Sequence, residues 1–371
     1  MNTQTDDLRL PRRVTVKIGS NVLTRADGTL DITRMSALVD DVATLRRAGI
    51  EVIMVSSGAV AAGRSELTGI ETGRLDSVSA RQLFSAVGQA KLIDRYVQLF
   101  REHRITCGQV LTTKENFATR HHYLTQQNCM EVMLRAGVVP VVNENDTVSV
   151  TELMFTDNDE LSGLIAAMMR CDRLIILSNI DGVYTGDPSQ PGSQLIRRVA
   201  PGDDLSRYIG ASRSSAGRGG MTTKYRIARK IASEGIEVMI ANGKRQSVLA
   251  DLMWHADTTP CTLFESSDET PSGVKRWIAH SGSFAKGALH VKADAAGALR
   301  SRSGVSLLPV GVTAAEGDFV RGDIVAVLDP DGKTIGWGKA SCDAAAARAA
   351  AGTPGGRALV HADYLYIEES V

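Results

Sequence analysis

The strongest constraint on the fold is the regular alternation of short apolar runs with amphipathic segments between residue 14 and about residue 241. In the amphipathic segments, apolar residues recur with the period of one helix face. Strands that alternate with helices form a mainly parallel sheet with helices on both faces. The sequence therefore predicts an α/β fold, a mainly parallel sheet sandwiched by helices. Its predicted strands are 14–18, 51–55, 108–111, 138–142, 174–177 and 237–240.

The remainder of the chain differs in character from this region. A chain of 371 residues exceeds the usual size of a single hydrophobic core, which favours two domains. Residues 1–13 are polar and predict a disordered tail, and residues 14–260 form the α/β domain. Residues 261–284 are polar and irregular, which is typical of a linker. Short β-like runs between Gly and Asp turns then predict a small β-barrel over residues 285–364.

Composition excludes several classes of protein. Lys plus Arg and Asp plus Glu number 42 each, so no overall charge attracts nucleic acid or acidic membranes. The five cysteines are scattered and form no Cys-x-x-Cys pair, which is typical of free thiols in a reducing cytosol. We find no apolar signal segment and no run long enough to span a membrane, and therefore expect a soluble cytoplasmic protein. His121 and His122 have no third ligand at useful spacing, so no metal site is expected.

Two lysines near glycines stand where ligands of a parallel sheet bind, beyond the carboxyl ends of the strands. Lys17 lies near the end of the first predicted strand, just before Gly19, and Lys224 closes a Gly-Gly-Met-Thr-Thr-Lys segment that enters an amphipathic helix. Glycine lets the backbone approach an anion closely, and a helix N-terminus favours negative charge. Each segment alone is also typical of an ordinary loop, and the spacing is not that of a Walker A motif. Together, the two lysines predict a kinase that holds the phosphates of a nucleotide from two sides.

Clusters of polar residues follow other predicted strands. Ser57 follows the second strand, residues 143–146 follow the fourth, and Ser178 and Asn179 follow the fifth. Residues 157–159 form a further cluster just before an apolar helix. Such clusters are usual in turns and helix caps. They also fit the walls of a pocket for a small polar ligand, and the residues alone leave both interpretations open.

Seven motifs occur in a fixed order along the chain, and they are VKIGS (16–20), SSGAVAAG (56–63), VGQ (87–89), VVNEND (141–146), DND (157–159), DGVYT (181–185) and GGMTTK (219–224). Taken in order, these motifs resemble those of the glutamate 5-kinases, a branch of the amino acid kinase family. The resemblance covers nearly the whole chain, and residues 285–364 resemble a PUA domain, a β-barrel found in RNA-modifying proteins. One difference is Ser178-Asn179, where members of the family often carry Thr-Asp or Ser-Asp.

The resemblance implies ATP-dependent phosphorylation of the γ-carboxylate of L-glutamate to γ-glutamyl phosphate, the first step of proline biosynthesis. It implies that Lys17 and Lys224 offset the charge of the moving phosphoryl group and that Asp159 orients both lysines. Mg²⁺ would be bound together with ATP. The residues implied to contact glutamate are Ser57, Asp146 and Asn158. The residues implied to contact ATP are Lys17, Gly19, Ser178, Asn179, Arg218, Gly219, Gly220, Met221, Thr222, Thr223 and Lys224.

The resemblance also implies a homo-oligomer, a dimer or a tetramer, and feedback inhibition by proline. Other acceptors remain open on the fold alone, because N-acetylglutamate, aspartate, carbamate and uridylate kinases share this architecture. A different class is an RNA-binding protein that keeps a kinase-like domain. Residues 280–371 carry nine Lys or Arg and ten Asp or Glu, without the basic footprint of an RNA-binding module. We therefore expect no RNA binding by the C-terminal module.

Overall fold

The computed structural model describes residues 10–69, 75–148, 155, 157–209, 220–267, 273–301 and 304–368. The chain divides into two compact units. The first unit comprises Met1–Asn116 and Leu124–Thr270, and the second comprises Phe117–Tyr123 and Pro271–Val371. Among the described residues, no helix is long and apolar enough to cross a membrane.

The first unit is built on an eight-stranded sheet with the strand order β3-β4-β2-β1-β5-β7-β8-β6. Neighbouring strands are parallel except for the antiparallel pair β7 and β8, so the predicted mainly parallel sheet is confirmed. Its strands are β1 Arg13–Ile18, β2 Glu51–Ser56, β3 Cys107–Thr112, β4 Val139–Glu144, β5 Arg173–Ser178, β6 Arg198–Val199, β7 Glu237–Asn242 and β8 Cys261–Phe264.

Helices cover this sheet, and local signals in the sequence fix where several of them begin. The carboxylate of Asp31 accepts the N–H of Arg34 at the start of α2, and Asp76 accepts two backbone N–H groups at the start of α4. The helices up to residue 254 are α1 Ser20–Leu23, α2 Ile32–Arg47, α3 Ala59–Glu66, α4 Ser77–Glu102, α5 Glu115–Ala118, α6 Arg120–Arg135, α7 Asn158–Met168, α8 Ser206–Ile209, α9 Met221–Ser233 and α10 Val248–Trp254.

Two glycines allow α3 and α4 to pack with their backbones in contact. A Cβ atom on Gly88 of α4 would lie 1.8 Å from the carbonyl oxygen of Ala59, and one on Gly63 of α3 would lie 1.8 Å from that of Phe84. Real Cβ atoms essentially never approach a backbone atom so closely. The Gly63–Gly88 contact therefore fixes α3, which begins directly after Ser57 and Gly58, against α4.

The second unit contains a five-stranded sheet with the strand order β10-β9-β11-β12-β13, which confirms a separate β-rich module at the C-terminus. Its core consists of apolar side chains from these strands and from two of its helices. The elements are α11 Gly273–His280, β9 Gly287–Val291, α12 Ala293–Ser301, β10 Val312–Gly317, β11 Ile324–Leu328, β12 Thr334–Ala340, α13 Ala344–Ala350 and β13 Val360–Ile367.

Two stretches differ from the expectation of irregular chain. Residues 261–284, predicted as a linker, contain β8 and α11, and Phe264 and Trp277 are buried, so the interpretation as irregular chain is wrong. Both elements are short and flanked by polar residues, which hid their apolar pattern. Of the predicted tail 1–13, residues 1–9 lie outside the described residues, whereas Arg13 begins β1.

Candidate active site

The structure brings together the two lysines and the aspartate that the resemblance singled out. Lys17 lies near the carboxyl end of β1, Asp159 in the first turn of α7, and Lys224 in the first turn of α9. The Nζ atom of Lys17 lies 2.6 Å from Oδ1 of Asp159. The Nζ atom of Lys224 donates a hydrogen bond of 2.9 Å to Oδ2. Each lysine thus occupies a different oxygen of one carboxylate, and we call the three residues the Lys–Asp–Lys cluster.

This cluster is buried, and its formal charges do not cancel. The exposed fraction is 0% for Asp159, 5% for Lys17 and 7% for Lys224. Burial alone would raise the pKa of Asp159, but the two neighbouring ammonium groups hold it below its ordinary value. Two cations around one ionised carboxylate sum to +1. An electrostatic interaction is stronger away from water, so the cluster attracts an anion that enters the site.

Asp157, which the sequence indicated only as part of a polar cluster, places a further acid beside the Lys–Asp–Lys cluster. Its carboxylate accepts the N–H groups of Asp159 at 2.9 Å and Glu160 at 3.1 Å, which caps α7. Burial, together with repulsion from Asp159, raises the pKa of Asp157 to about 6. Above that pH, its ionisation offsets the positive excess of the Lys–Asp–Lys cluster.

A glycine lies close in sequence to each of the two lysines. A Cβ atom on Gly19 would lie 3.5 Å from Nζ of Lys17, so glycine keeps the space next to the ammonium open. Gly220 is the N-cap of α9 and offers no side-chain cap to the first N–H groups of that helix. Met221, Thr222 and Thr223 form its first turn. A helix start of this kind favours an anion.

Two predicted nucleotide contacts lie outside the described residues, and two others lie at the end of β5. Arg218 and Gly219 belong to residues 210–219, which the structure does not describe. Ser178 is the last residue of β5 and is buried, and the following Asn179 is exposed. Since β5 lies between β1 and β7, Ser178 is at the same edge of the sheet as Lys17.

A hydrogen-bonded group of amides and a hydroxyl lies next to the Lys–Asp–Lys cluster. The side-chain amide of Asn158 donates to Oγ of Ser57 at 2.9 Å and to Oδ1 of Asn143 at 3.0 Å. Asn143 in turn donates to Gln89 at 2.8 Å. Ser57 and Asn158, two of the three residues expected to contact the acceptor, are therefore hydrogen-bonded to each other.

The third, Asp146, lies in a charged cluster that the sequence analysis did not foresee. Its Oδ1 lies 2.6 Å from Nη2 of Arg81, and its Oδ2 accepts a hydrogen bond of 3.2 Å from Ser85. The same Nη2 lies 3.2 Å from Oε2 of Glu144. No sequence signal marks Arg81 because a single arginine in a helix does not reveal which distant carboxylate it contacts.

Comparisons with known proteins identify the fold and the family. A carbamate kinase from Giardia lamblia bound to AMP-PNP superimposes with a TM-score of 0.51 at 14% identity, over 69% of this chain and 99% of that one, which shows a shared fold. The sequence profile of the Amino acid kinase family matches residues 12–242, and that of the PUA domain matches residues 287–358.

Relatives of similar length match almost end to end. A glutamate 5-kinase of Bacteroides thetaiotaomicron is 62% identical over 356 residues, which are 96% of this chain and 98% of the relative. A glutamate 5-kinase of Chlorobaculum tepidum is 44% identical over 358 residues, which are 96% of this chain and 97% of the relative. With its kinase fold, its PUA domain and this degree of identity, the chain belongs to the amino acid kinase family, in the branch of the glutamate 5-kinases.

Proposed function

We propose that the protein transfers the γ-phosphoryl group of ATP to the γ-carboxylate of L-glutamate, which yields ADP and γ-glutamyl phosphate, the first step of proline biosynthesis. The observation that carries the proposal is the buried Lys–Asp–Lys cluster at the carboxyl ends of the strands. The relatives named glutamate 5-kinase support the choice of acceptor. We assign the chemistry to the predicted domain 14–260.

The reaction needs charge stabilisation more than it needs a base. The γ-carboxylate of glutamate is ionised at pH 7, so no proton has to be removed from the nucleophile. Its oxygen attacks the γ-phosphorus while the bond from that phosphorus to the bridging oxygen of ADP breaks. The barrier arises because an anion approaches a polyanion, and the transition state spreads its charge over the phosphoryl oxygens. Lys17 and Lys224 supply positive charge at fixed positions, which costs no reorganisation during the reaction.

Asp159 acts as the positioning residue for both lysines. An ammonium group has three N–H donors, so each lysine keeps donors beyond its contact with Asp159. Holding one lysine on each carboxylate oxygen fixes the spacing of the two positive charges. Asp159 itself has no solvent exposure, and we assign it no contact with the substrates.

The two substrates are assigned to opposite sides of the cluster. Ser57, Asn158 and Asp146 would contact glutamate, and Ser178 and Asn179 would contact ATP. The start of α9 would hold the ATP phosphates, and residues 218–223 complete this set by resemblance. We treat Mg²⁺ as part of the substrate MgATP, because Mg²⁺ is usually bound through substrate phosphates together with only one or two protein carboxylates.

The test is release of ADP that depends on ATP, Mg²⁺ and L-glutamate, with hydroxylamine present to trap the acyl phosphate as γ-glutamyl hydroxamate. Aspartate, N-acetylglutamate, carbamate and UMP serve as alternative acceptors. We expect turnover with glutamate and formation of the hydroxamate. Turnover with another acceptor alone would refute glutamate as the substrate. No turnover with any acceptor, together with salt-sensitive RNA binding, would favour the RNA-binding alternative.

Three further features are proposed from the family. We infer a homo-oligomer, a dimer or a tetramer, to be measured by light scattering. Proline is proposed as a feedback inhibitor that competes with glutamate near Asp146 and Asn158. A cytoplasmic location fits an enzyme whose substrates are ATP and a free amino acid.

A further inference from the structure

The charged cluster around Asp146 contains a cation that phosphoryl transfer does not use. Arg81 contacts Asp146 through Nε at 2.8 Å and through Nη2 at 2.6 Å, and it contacts Glu144 through Nη2 at 3.2 Å. The two acids are nearly enclosed, with side-chain exposures of 7% and 4%, whereas that of Arg81 is 25%. The exposed member of this cluster is therefore its arginine.

The guanidinium of Arg81 keeps donors for a further partner. Arginine offers five N–H donors, and its contacts with the two acids use Nε and Nη2. Within the described parts of the chain, Nη1 makes no hydrogen bond or ion pair. A planar guanidinium with unused donors suits a carboxylate.

The charges of the cluster match those of an amino acid end. Glu144 and Asp146 against Arg81 sum to −1, which attracts an ammonium group. An acidic pocket alone would accept simple amines as readily as amino acids. A partly exposed arginine beside the two acids adds a site for the negative charge of a zwitterion.

The cluster also lies on the side of the site where the far end of the acceptor is expected. The backbone N–H of Glu144 donates to Oδ1 of Asn143 at 2.9 Å, and the same oxygen accepts from Asn158, the neighbour of Asp159. This series of contacts runs from the Lys–Asp–Lys cluster to Arg81. It matches a substrate with its reactive carboxylate at one end and its amino acid group at the other.

We propose that Arg81 binds the α-carboxylate of glutamate while Asp146 binds the α-ammonium, so that Arg81 determines specificity for amino acids. The proposal rests on the proposed glutamate kinase activity. Arg81 holds its guanidinium against Asp146 before substrate arrives and then contacts substrate directly. It selects against molecules that have the reactive carboxylate but lack the second one.

Three acceptors separate direct recognition from a structural role. L-Glutamate carries both groups, its α-amide lacks the α-carboxylate charge, and glutarate lacks the ammonium. We expect Arg81→Gln to lower kcat/KM for glutamate and for glutarate about 100-fold, as expected when one member of a hydrogen-bonded charge pair is removed. The α-amide should change less than about threefold. An acceptor that does not turn over is measured by its competitive inhibition constant against glutamate.

A conservative variant and a control variant accompany Arg81→Gln. Arg81→Lys keeps a cation and should restore part of the loss with glutamate, and it serves in place of Arg81→Gln if that variant does not fold. Arg101→Gln changes an exposed arginine of the same helix and should leave all three acceptors unaffected.

The outcomes distinguish this proposal from the proposed function. Equal losses for glutamate and its α-amide would show that Arg81 only supports Asp146, and would overturn the proposal. The proposal would also be overturned if Arg81→Gln kept the preference of the wild-type protein for glutamate over its α-amide. Absence of glutamate turnover in the wild-type protein would overturn both proposals, whereas glutamate turnover with an unchanged preference would overturn this one alone.

Discussion

Strand β1 carries a buried cation near each end, and the surroundings of the two differ. At its start, the guanidinium of Arg13 bonds to Glu51 at 2.7 Å, to Glu131 at 2.6 Å and to the carbonyl oxygen of Met169 at 2.6 Å. Burial alone would lower the pKa of Arg13, but its bonds to the two carboxylates raise it. Near the other end, Lys17 shares a single carboxylate with a second lysine.

We propose that this difference separates a structural charge cluster from a functional one. The Arg13 cluster has more acid than base, and its cation is bonded through all of its nitrogens. The Lys–Asp–Lys cluster itself has more base than acid, and we propose that its lysines pair with the anionic phosphates of the nucleotide. The cations of both clusters are similarly buried, so the burial of a cation alone would not reveal which cluster acts on a substrate.

We expect the largest loss of activity when one lysine of the Lys–Asp–Lys cluster is removed. Lys224→Ala is expected to lower kcat about 1,000-fold, because a fixed positive charge at the transferring phosphoryl group is lost. The free energy of unfolding should change little, since Lys17 still pairs with Asp159. Steady-state kinetics and urea unfolding measure the two effects. Arg226→Ala, an exposed cation on the same helix, is the control, and full activity of folded Lys224→Ala would remove Lys224 from the mechanism.

Removing Arg13 should give the opposite result. Arg13→Met leaves Glu51 and Glu131 without their cation and should lower the free energy of unfolding by about 3 kcal/mol. The kcat per folded molecule should stay within about twofold, because the change is at the far edge of the sheet. Arg198→Met removes an exposed ion pair with Glu265 and should cost less than about 1 kcal/mol. A loss of kcat without a loss of stability would contradict this division of roles.

A third charged cluster, around Asp146, extends the comparison, because we propose that it binds substrate although it has more acid than base. Asp146→Asn should raise the glutamate KM about 10- to 100-fold, since the partner of the substrate ammonium loses its charge. The ATP KM should not change. Ser85→Ala removes a neutral contact to the same carboxylate and is expected to have a smaller effect. A rise confined to the ATP KM would place the acceptor pocket elsewhere.

The smallest expected effect concerns the titration of Asp157, which lies beside the Lys–Asp–Lys cluster. The pKa of Asp157 is raised to about 6, above its unfolded value of about 3.9, so the native state binds the proton more tightly. This contribution to stability is present below pH 4 and is lost as the pH rises through 6.

Asp157→Asn removes this titration and keeps an oxygen for the cap of α7. As the pH rises from 4.5 to 7.5, the difference in unfolding free energy between variant and wild type should therefore shift by roughly 1–2 kcal/mol in favour of the variant. Urea unfolding at both pH values measures it. A difference between variant and wild type that does not depend on pH would contradict the assignment to Asp157.

Buried central strands were predicted from the sequence within about two residues, because their apolar runs are nearly continuous. Strand β8 was missed because it is short and flanked by polar residues. In the site, Asp159 contacts both Lys17 and Lys224, a grouping that only the family resemblance implied. Arg81 could not be predicted, because its role depends on a tertiary contact between α4 and the end of β4.

The Gly63–Gly88 contact has a mechanical consequence for the proposed acceptor pocket. Helix α3 begins directly after Ser57, and α4 carries Arg81 and Ser85, so the two sides of the pocket are attached to two helices whose backbones touch. Neither helix can slide or rotate without displacing the other. The pocket therefore behaves as a single stiff piece, and any closure around the amino acid must move other parts of the site against it.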